Sequence, residues 1–212
     1  MDRVYIIESP APGDLFERRC EGKALSEALR LAETDVSYLL ASSQEMFERA
    51  LHLVVEDFFE KSGKWSTMPF IHVSAHGDAD GIQLTNGDYF EWEDFRQALV
   101  QINEKIGYVP HINDNISKNI SRIMLCFSSC DGYNGYNIHA SDPCPFQCLV
   151  GPLSAVSWTD SLTAFQVFYH AANYRQRPLF EAVNLMNSAA GLTSVFQLYE
   201  SPELGRRKET QS

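Results

Sequence analysis

The strongest constraint in this chain is a pair of apolar runs, residues 69–77 (PFIHVSAHG) and their echo at 120–132 (ISRIMLCFSSCDG). Each is rich in β-branched and other apolar residues and stops abruptly at small ones, as strands buried on both faces do. Each delivers one reactive side chain at its end, His76 in the first and Cys130 in the second. Strands of this kind belong to parallel sheets, and reactive groups in open α/β sheets collect at the carboxyl ends of strands. Side by side, the two runs would bring an imidazole and a thiol to one sheet edge.

The rest of the chain fits such a sheet. Residues 4–8 (VYIIE) predict a first strand, closed by a Pro-rich breaker at 9–13. Leu25, Leu29 and Leu31 predict an amphipathic helix, and 35–41 a second strand, with helix as the competing reading. Ser42 or Ser43 can cap a helix running to about Lys61, with Phe47, Leu51, Val54, Val55, Phe58 and Phe59 as its stripe and Ser62-Gly63 as its end. After His76, residues 81–84 and 89–90 predict a hairpin around Asn86-Gly87. Residues 91–106 read as a helix, 111–119 as a polar loop and 131–145 as an irregular loop. A strand is expected at 149–156 and a helix at 158–174, burying Leu162, Phe165, Phe168 and Tyr169. A further helix starts at Pro178, carrying Phe180, Val183, Leu185 and Met186, and a last strand spans 194–199. Strands alternating with helices imply an α/β fold, a three-layer α/β/α sandwich with a mostly parallel sheet. One domain over 1–201 and a polar, flexible tail over 202–212 are expected.

Charge and cysteine usage narrow the function classes. A formal net charge of −11, from 17 basic and 28 acidic residues, argues against a phosphate-tracking surface, so no nucleic-acid partner is expected. No apolar run approaches the ~20 residues of a membrane span, and the opening MDRVYIIESP has no basic-then-apolar leader. The five cysteines are odd in number and unevenly placed, which points to reduced thiols in a cytoplasmic protein. Cys126/Cys130 and Cys144/Cys148 superficially suggest a four-thiolate zinc site. Positions four apart on a strand lie about 13 Å apart, too far to share one metal; Cys144 and Cys148 would be near enough only on a helix. No metal and no cofactor is expected. A serine hydrolase would need a Gly-x-Ser-x-Gly elbow, and a phosphate-binding loop a glycine run with lysine; neither occurs.

A thiol attacks a carbonyl as thiolate, and a neighbouring imidazole can take its proton. A lone cysteine on an apolar strand is usually a small core residue, as expected for Cys126, and a lone histidine is usually a satisfied polar group. Both at matched strand ends, each beside a glycine (Gly77 and Gly132), raise the functional reading above the bland one. Glycine there lets a substrate backbone approach, and the N–H groups of Gly77 and Cys130 could serve a developing oxyanion.

The pattern apolar-Ser-Ala-His-Gly, about fifty residues, then apolar-Ser-Ser-Cys-x-Gly resembles the caspase-like (clan CD) cysteine peptidases, and its spacing agrees with theirs. Within them it most resembles the bacterial group related to CHAT domains. The segments GDADGIQLTNGDYFEWEDF and LVGPLSAVSWTDSLTAFQVFYHAA are similar to those that follow the histidine and the cysteine there. The resemblance covers about 70–187. It implies a caspase-hemoglobinase-like fold and a thiol protease that cleaves proteins with a catalytic dyad, His76 and Cys130, without an obligatory third acid. It implies that Val156, Ser157 and Trp158 lie along the substrate. Where aspartate-specific caspases have an arginine after Ser-Trp, this chain has Thr159 and Asp160. With Asp160 as a substrate-binding residue, cleavage after Arg or Lys is the expectation; the alternative role for Asp160 is the N-cap of the next helix. The resemblance also suggests regulated cell death or antiviral defence, a separate activating protein, and 131–145 as a loop that orders on activation. The competing reading is a catalytically silent module that uses the same fold for binding.

Overall fold

The computed structural model describes residues 3–60, 69–113, 116–140 and 144–202. The expected cap at Ser62-Gly63 and the tail from 203 lie outside them. Its centre is a six-strand sheet in the order β10-β9-β8-β3-β1-β2, with β1 at Val4–Ser9, β2 at Val36–Leu40 and β3 at Phe70–Gly77. Strands β8 (Met124–Phe127), β9 (Cys148–Pro152) and β10 (Phe196–Glu200) complete it. All neighbours run parallel except β10, which is antiparallel to β9 at the edge. A hairpin of β4 (Gly81–Gln83) and β5 (Tyr89–Glu91) continues from the end of β3.

Alternation along the strands divides the core into two halves. Tyr5, Ile7, Ile71, Val73 and Ala75 pack on one face with α3 (Gln44–Glu60) and α4 (Trp92–Ile106). Val4, Ile6 and Phe70 pack on the other with α2 (Glu21–Leu31), α5 (Trp158–Tyr169) and α6 (Leu179–Ala189). This is the three-layer arrangement. Rings dominate both halves: Phe47 on Phe90 at 5.1 Å and Trp92 on Phe127 at 5.2 Å on one side, Phe165 on Phe196 at 5.3 Å on the other. Such pairs add about 1 kcal/mol beyond the area they bury.

The helices begin and end for local reasons. Ser43 caps α3, its Oγ accepting from Met46 N at 3.3 Å. Helix α2 has no side-chain cap of its own at Cys20. Glu8, buried at the end of β1, supplies one: its carboxylate accepts from Gly22 N at 2.7 Å and Lys23 N at 3.1 Å, and from Tyr38 Oη at 2.7 Å. An acid at the positive end of a helix is stabilising.

Several expectations need correction. Residues 111–119 are not a loop but most of an antiparallel pair, β6 (Val109–Asn113) and β7 (Ile116–Ile120). The β-branched Val109, Ile112, Ile116 and Ile120 on either side of Asn113-Asp114-Asn115 are the sequence signal for it. Strand β8 ends at Phe127, so Cys130 sits on the turn after the strand rather than at its last residue. Residues 132–140 of the expected irregular loop form a 3₁₀ helix, because Gly135 lies against Phe127, Leu149 and Trp92, and Ile138 is buried. Helix α5 stops at Tyr169 and continues as one π turn, His170–Tyr174. Leu31, Phe59, Phe180 and Leu185 are exposed, being rotated off the buried stripes of their helices.

The 3₁₀ helix is held close to β9. A Cβ built on Gly151 would lie 2.8 Å from both Gly132 C and Tyr133 N. Gly151→Ala is expected to destabilise the fold by about 1–3 kcal/mol, because backbone rather than a flexible side chain must move. A lower urea midpoint at unchanged slope checks it.

Candidate active site

Register sets the two strand ends side by side. The β3–β8 ladder ends with Val73 opposite Phe127, and three further residues lead along β3 to His76 and, past the end of β8, to Cys130. The chains stay together one residue beyond the ladder, where Ser128 N donates to Val73 O at 2.8 Å. A tight turn then closes, Gly132 N donating to Ser129 O at 3.0 Å, with Cys130 and Asp131 at its tip. Asp131 adopts φ +56°, a left-handed conformation that a β-carbon disfavours.

Gly77 explains how the turn fits. A Cβ there would lie 2.9 Å from Ser129 Cβ and 3.1 Å from Cys130 O. The close approach that requires glycine is therefore made by the turn bearing Cys130, not by an incoming ligand alone. The Gly77 N–H also faces that turn. Val73 gives its carbonyl to β8, and main-chain groups alternate sides along a strand, so residues 73, 75 and 77 share a side. Among the described residues, the Cys130 N–H makes no hydrogen bond to backbone.

The half-exposed His76 ring is gripped on two sides. Its Nε2 lies 2.6 Å from Asp14 Oδ2, and the Trp158 ring meets it edge-on at 5.2 Å and 72°. Asp14 is buried, on the short helix α1 (Pro12–Phe16) that follows β1, and its other oxygen takes Arg19 Nη2 at 2.9 Å. A carboxylate only accepts, so Nε2 carries the hydrogen and Nδ1 is the nitrogen able to take a proton. The resemblance implied a dyad without an obligatory third acid, and Asp14 was not among the residues it pointed to. Its only trace was an acid just inside a Pro-initiated turn, a pattern that does not say which strand end it will face.

Cys130 is partly exposed, and its Sγ makes a weak contact with Val156 O at 3.8 Å. Of the four residues expected to meet substrate, Val156 lies against the Cys130 sulfur and Trp158 is brought to His76. Ser157 and Asp160 bond each other: Ser157 Oγ accepts from Asp160 N at 3.1 Å and donates to Asp160 Oδ2 at 2.7 Å. Ser157 is thus the N-cap of α5, and Asp160 is the acid three residues on. Both still flank the site, one and two residues from Trp158.

The other thiols belong elsewhere. Cys126 and Cys148 point into the α5/α6 half of the core and Cys144 into the other half. Burial pushes the Cys126 thiol up to about 12, so it stays protonated and inert. Cys148 begins β9 rather than lying on a helix with Cys144. Among the described residues, no group of three or more His, Cys, Asp or Glu could hold a metal ion, and no helix is long and apolar enough to cross a membrane.

No protein-family model and no curated protein matches this chain.

The turn conformation yields a prediction. Asp131→Gly removes the β-carbon from a left-handed residue and should stabilise the folded protein by up to about 1 kcal/mol. A melting temperature unchanged or lowered by this substitution would show that Asp131 is held by contacts worth more than the strain.

Proposed function

We propose that the chain is a cysteine endopeptidase of the caspase-like kind, in which Cys130 is the nucleophile and His76 the general base. The observation that carries the reading is the packing of the turn that bears Cys130 against Gly77, the residue next to His76 at the end of the neighbouring parallel strand β3. In the first half-reaction His76 Nδ1 takes the Cys130 proton and the sulfur adds to the scissile carbonyl carbon. Collapse of the tetrahedral adduct breaks the C–N bond, and the imidazolium returns the proton to the leaving amine. In the second, a water loses a proton to Nδ1 and displaces the thiolate, which recovers that proton as the acid departs.

Asp14 keeps the ring in the productive tautomer and stabilises the imidazolium, and Trp158 fixes the ring plane. The N–H groups of Gly77 and Cys130 supply the oxyanion donors, each worth about 3 kcal/mol in such sites. On the acyl side of the cut we assign a basic residue, Arg or Lys, attracted by Asp160. The half of Asp160 not used by Ser157, at the start of α5 beside Trp158, supports that assignment. Activation by a separate protein remains part of the proposal, since the 3₁₀ helix after Cys130 offers a segment whose repacking would move the turn.

An acyloxymethyl ketone bearing arginine tests the reading. Labelling is expected at Cys130, lost by about 100-fold or more in His76→Ala and by about tenfold in Asp14→Asn. No labelling of the intact protein under any condition would instead favour the catalytically silent binding module. Specificity is read separately on a peptide library. Asp160→Asn keeps the helix cap, and the preference for Arg and Lys should fall with it; an unaltered preference removes Asp160 from the substrate site.

A further inference from the structure

Strand β3 turns Phe70, His72, Ser74 and His76 to the same side, toward α2 and α5, and the buried polar groups there are connected. Ser74 Oγ donates to Glu21 Oε2 at 2.7 Å, and Ser128 Oγ donates to Glu21 Oε1 at 3.2 Å. Ser74 stands two residues before His76, and Ser128 two residues before Cys130. Glu21, only 4% exposed, is the first residue of α2. We propose that Glu21 is a positioning residue, a single buried carboxylate that ties the strand carrying His76 to the turn carrying Cys130 and sets the distance between them. The proposal rests on the cysteine-hydrolase reading given above.

Two further observations support it. First, the bonds form one directed chain. His72 Nε2 lies 2.8 Å from Ser128 Oγ, and His72 Nδ1 lies 3.1 Å from Tyr169 Oη. An ionised Glu21 can only accept, so Ser128 donates to it, His72 donates from Nε2 to Ser128, and the Tyr169 hydroxyl donates to Nδ1. Every donor then has its acceptor, and the carboxylate's orientation is fixed from both arms. Second, stability alone gives no reason for an acid here. The titratable groups acting on Glu21 are Glu8 from β1 and Tyr169 from α5, while His72 on β3 and Cys126 on β8 lie one bond further away, through Ser128 and Tyr169. None is a cation: burial keeps the His72 imidazole neutral, pushed down to about 3. A buried carboxylate without a counter-ion is costly, and an apolar residue would serve packing better.

The same burial, with Glu8 adding to it, pushes Glu21 up to about 7. The brace therefore changes form near neutral pH. Ionised, Glu21 receives two charge-assisted bonds; protonated, it has one oxygen committed as a donor, and both bonds become neutral and weaker.

Alkylation of Cys130 by iodoacetamide, followed by mass spectrometry of the peptide that contains it, reads the thiol without any knowledge of substrate. Wild type, Glu21→Gln, Glu21→Ala and His76→Ala are compared from about pH 5.5 to 8.5, the range in which imidazole and this carboxylate titrate. His76→Ala and Glu21→Ala should each lower the rate at neutral pH by about tenfold or more, the scale on which misplaced reacting groups lose efficiency. Glutamine can bridge both serines but cannot ionise, so the ratio of wild type to Glu21→Gln should rise with pH through about 7. A ratio of one, or a ratio the same at every pH, overturns the brace while a loss in His76→Ala leaves the dyad standing. His76→Ala with wild-type reactivity overturns the hydrolase reading, and the brace with it. If the Glu21 variants unfold, Ser128→Ala carries the comparison, because it removes one arm and leaves the Ser74 bond; an unchanged Cys130 rate in that variant overturns the proposal.

Discussion

The pairing of β3 with β8 is the interaction on which everything else in this molecule depends. Their parallel register sets Val73 opposite Phe127, and from that offset the turn bearing Cys130 comes to pack on Gly77, beside His76, at the sheet's carboxyl edge. A slip by one residue would turn His72 and Ser74 into the α3/α4 half of the core and Val73 out of it. The register is therefore enforced by burial along the whole strand: Phe70 through Ala75 are all buried, and a shift would misplace each of them.

Closeness at the rim follows from small residues and one strained one. Gly77 admits the turn that carries Cys130, Gly132 admits Phe127 Cβ, which a β-carbon there would meet at 2.6 Å, and Gly151 admits the backbone of residues 132–133. These contacts stack β3, the turn, the 3₁₀ helix and β9 closely against each other, with room for no more than a β-carbon from Ser129 and Phe127 at the first two and with bare backbone at the third. The left-handed Asp131 is where the chain absorbs the resulting bend. The thiol is presented by a compact arrangement of backbone, in which the Gly132 N–H is bonded within the turn and the Asp131 N–H reaches Ser154 O.

Beneath the rim, the side of the sheet that faces α2 and α5 is unusually polar for an interior. Glu8 caps α2, Glu21 joins β3 to the turn after β8, and Asp14 holds His76. All three acids come from the first strand and the two helices that follow it, the part of the chain with no recognisable motif. The N-terminal segment thus supplies the buried acids, and the motif-bearing segments supply the imidazole and the thiol at the rim. Both are needed for geometry, since a strand end by itself leaves a histidine free to rotate.

Much of the fold was legible from pattern. Apolar runs and helical stripes located nearly every central strand and helix, because burial on a fixed period leaves a mark in the sequence. The antiparallel pair at Val109–Ile120 and the 3₁₀ helix were missed, because polar side chains and glycines mask backbone pairing that depends on neighbours. At the site, His76, Cys130 and Gly77 could be picked out from local spacing, and Trp158 from resemblance. Asp14 and Glu21 could not, since each acts across more than fifty positions of sequence, on His76 in one case and on Ser74 and Ser128 in the other. By itself, then, the sequence determined where the buried strands run and that an imidazole and a thiol stand at or just beyond the ends of two of them. Only the tertiary structure decided which acids face them, and that Ser157 and Asp160 spend bonds on one another, because hydrogen bonds between distant residues are set by strand order and register rather than by any local period.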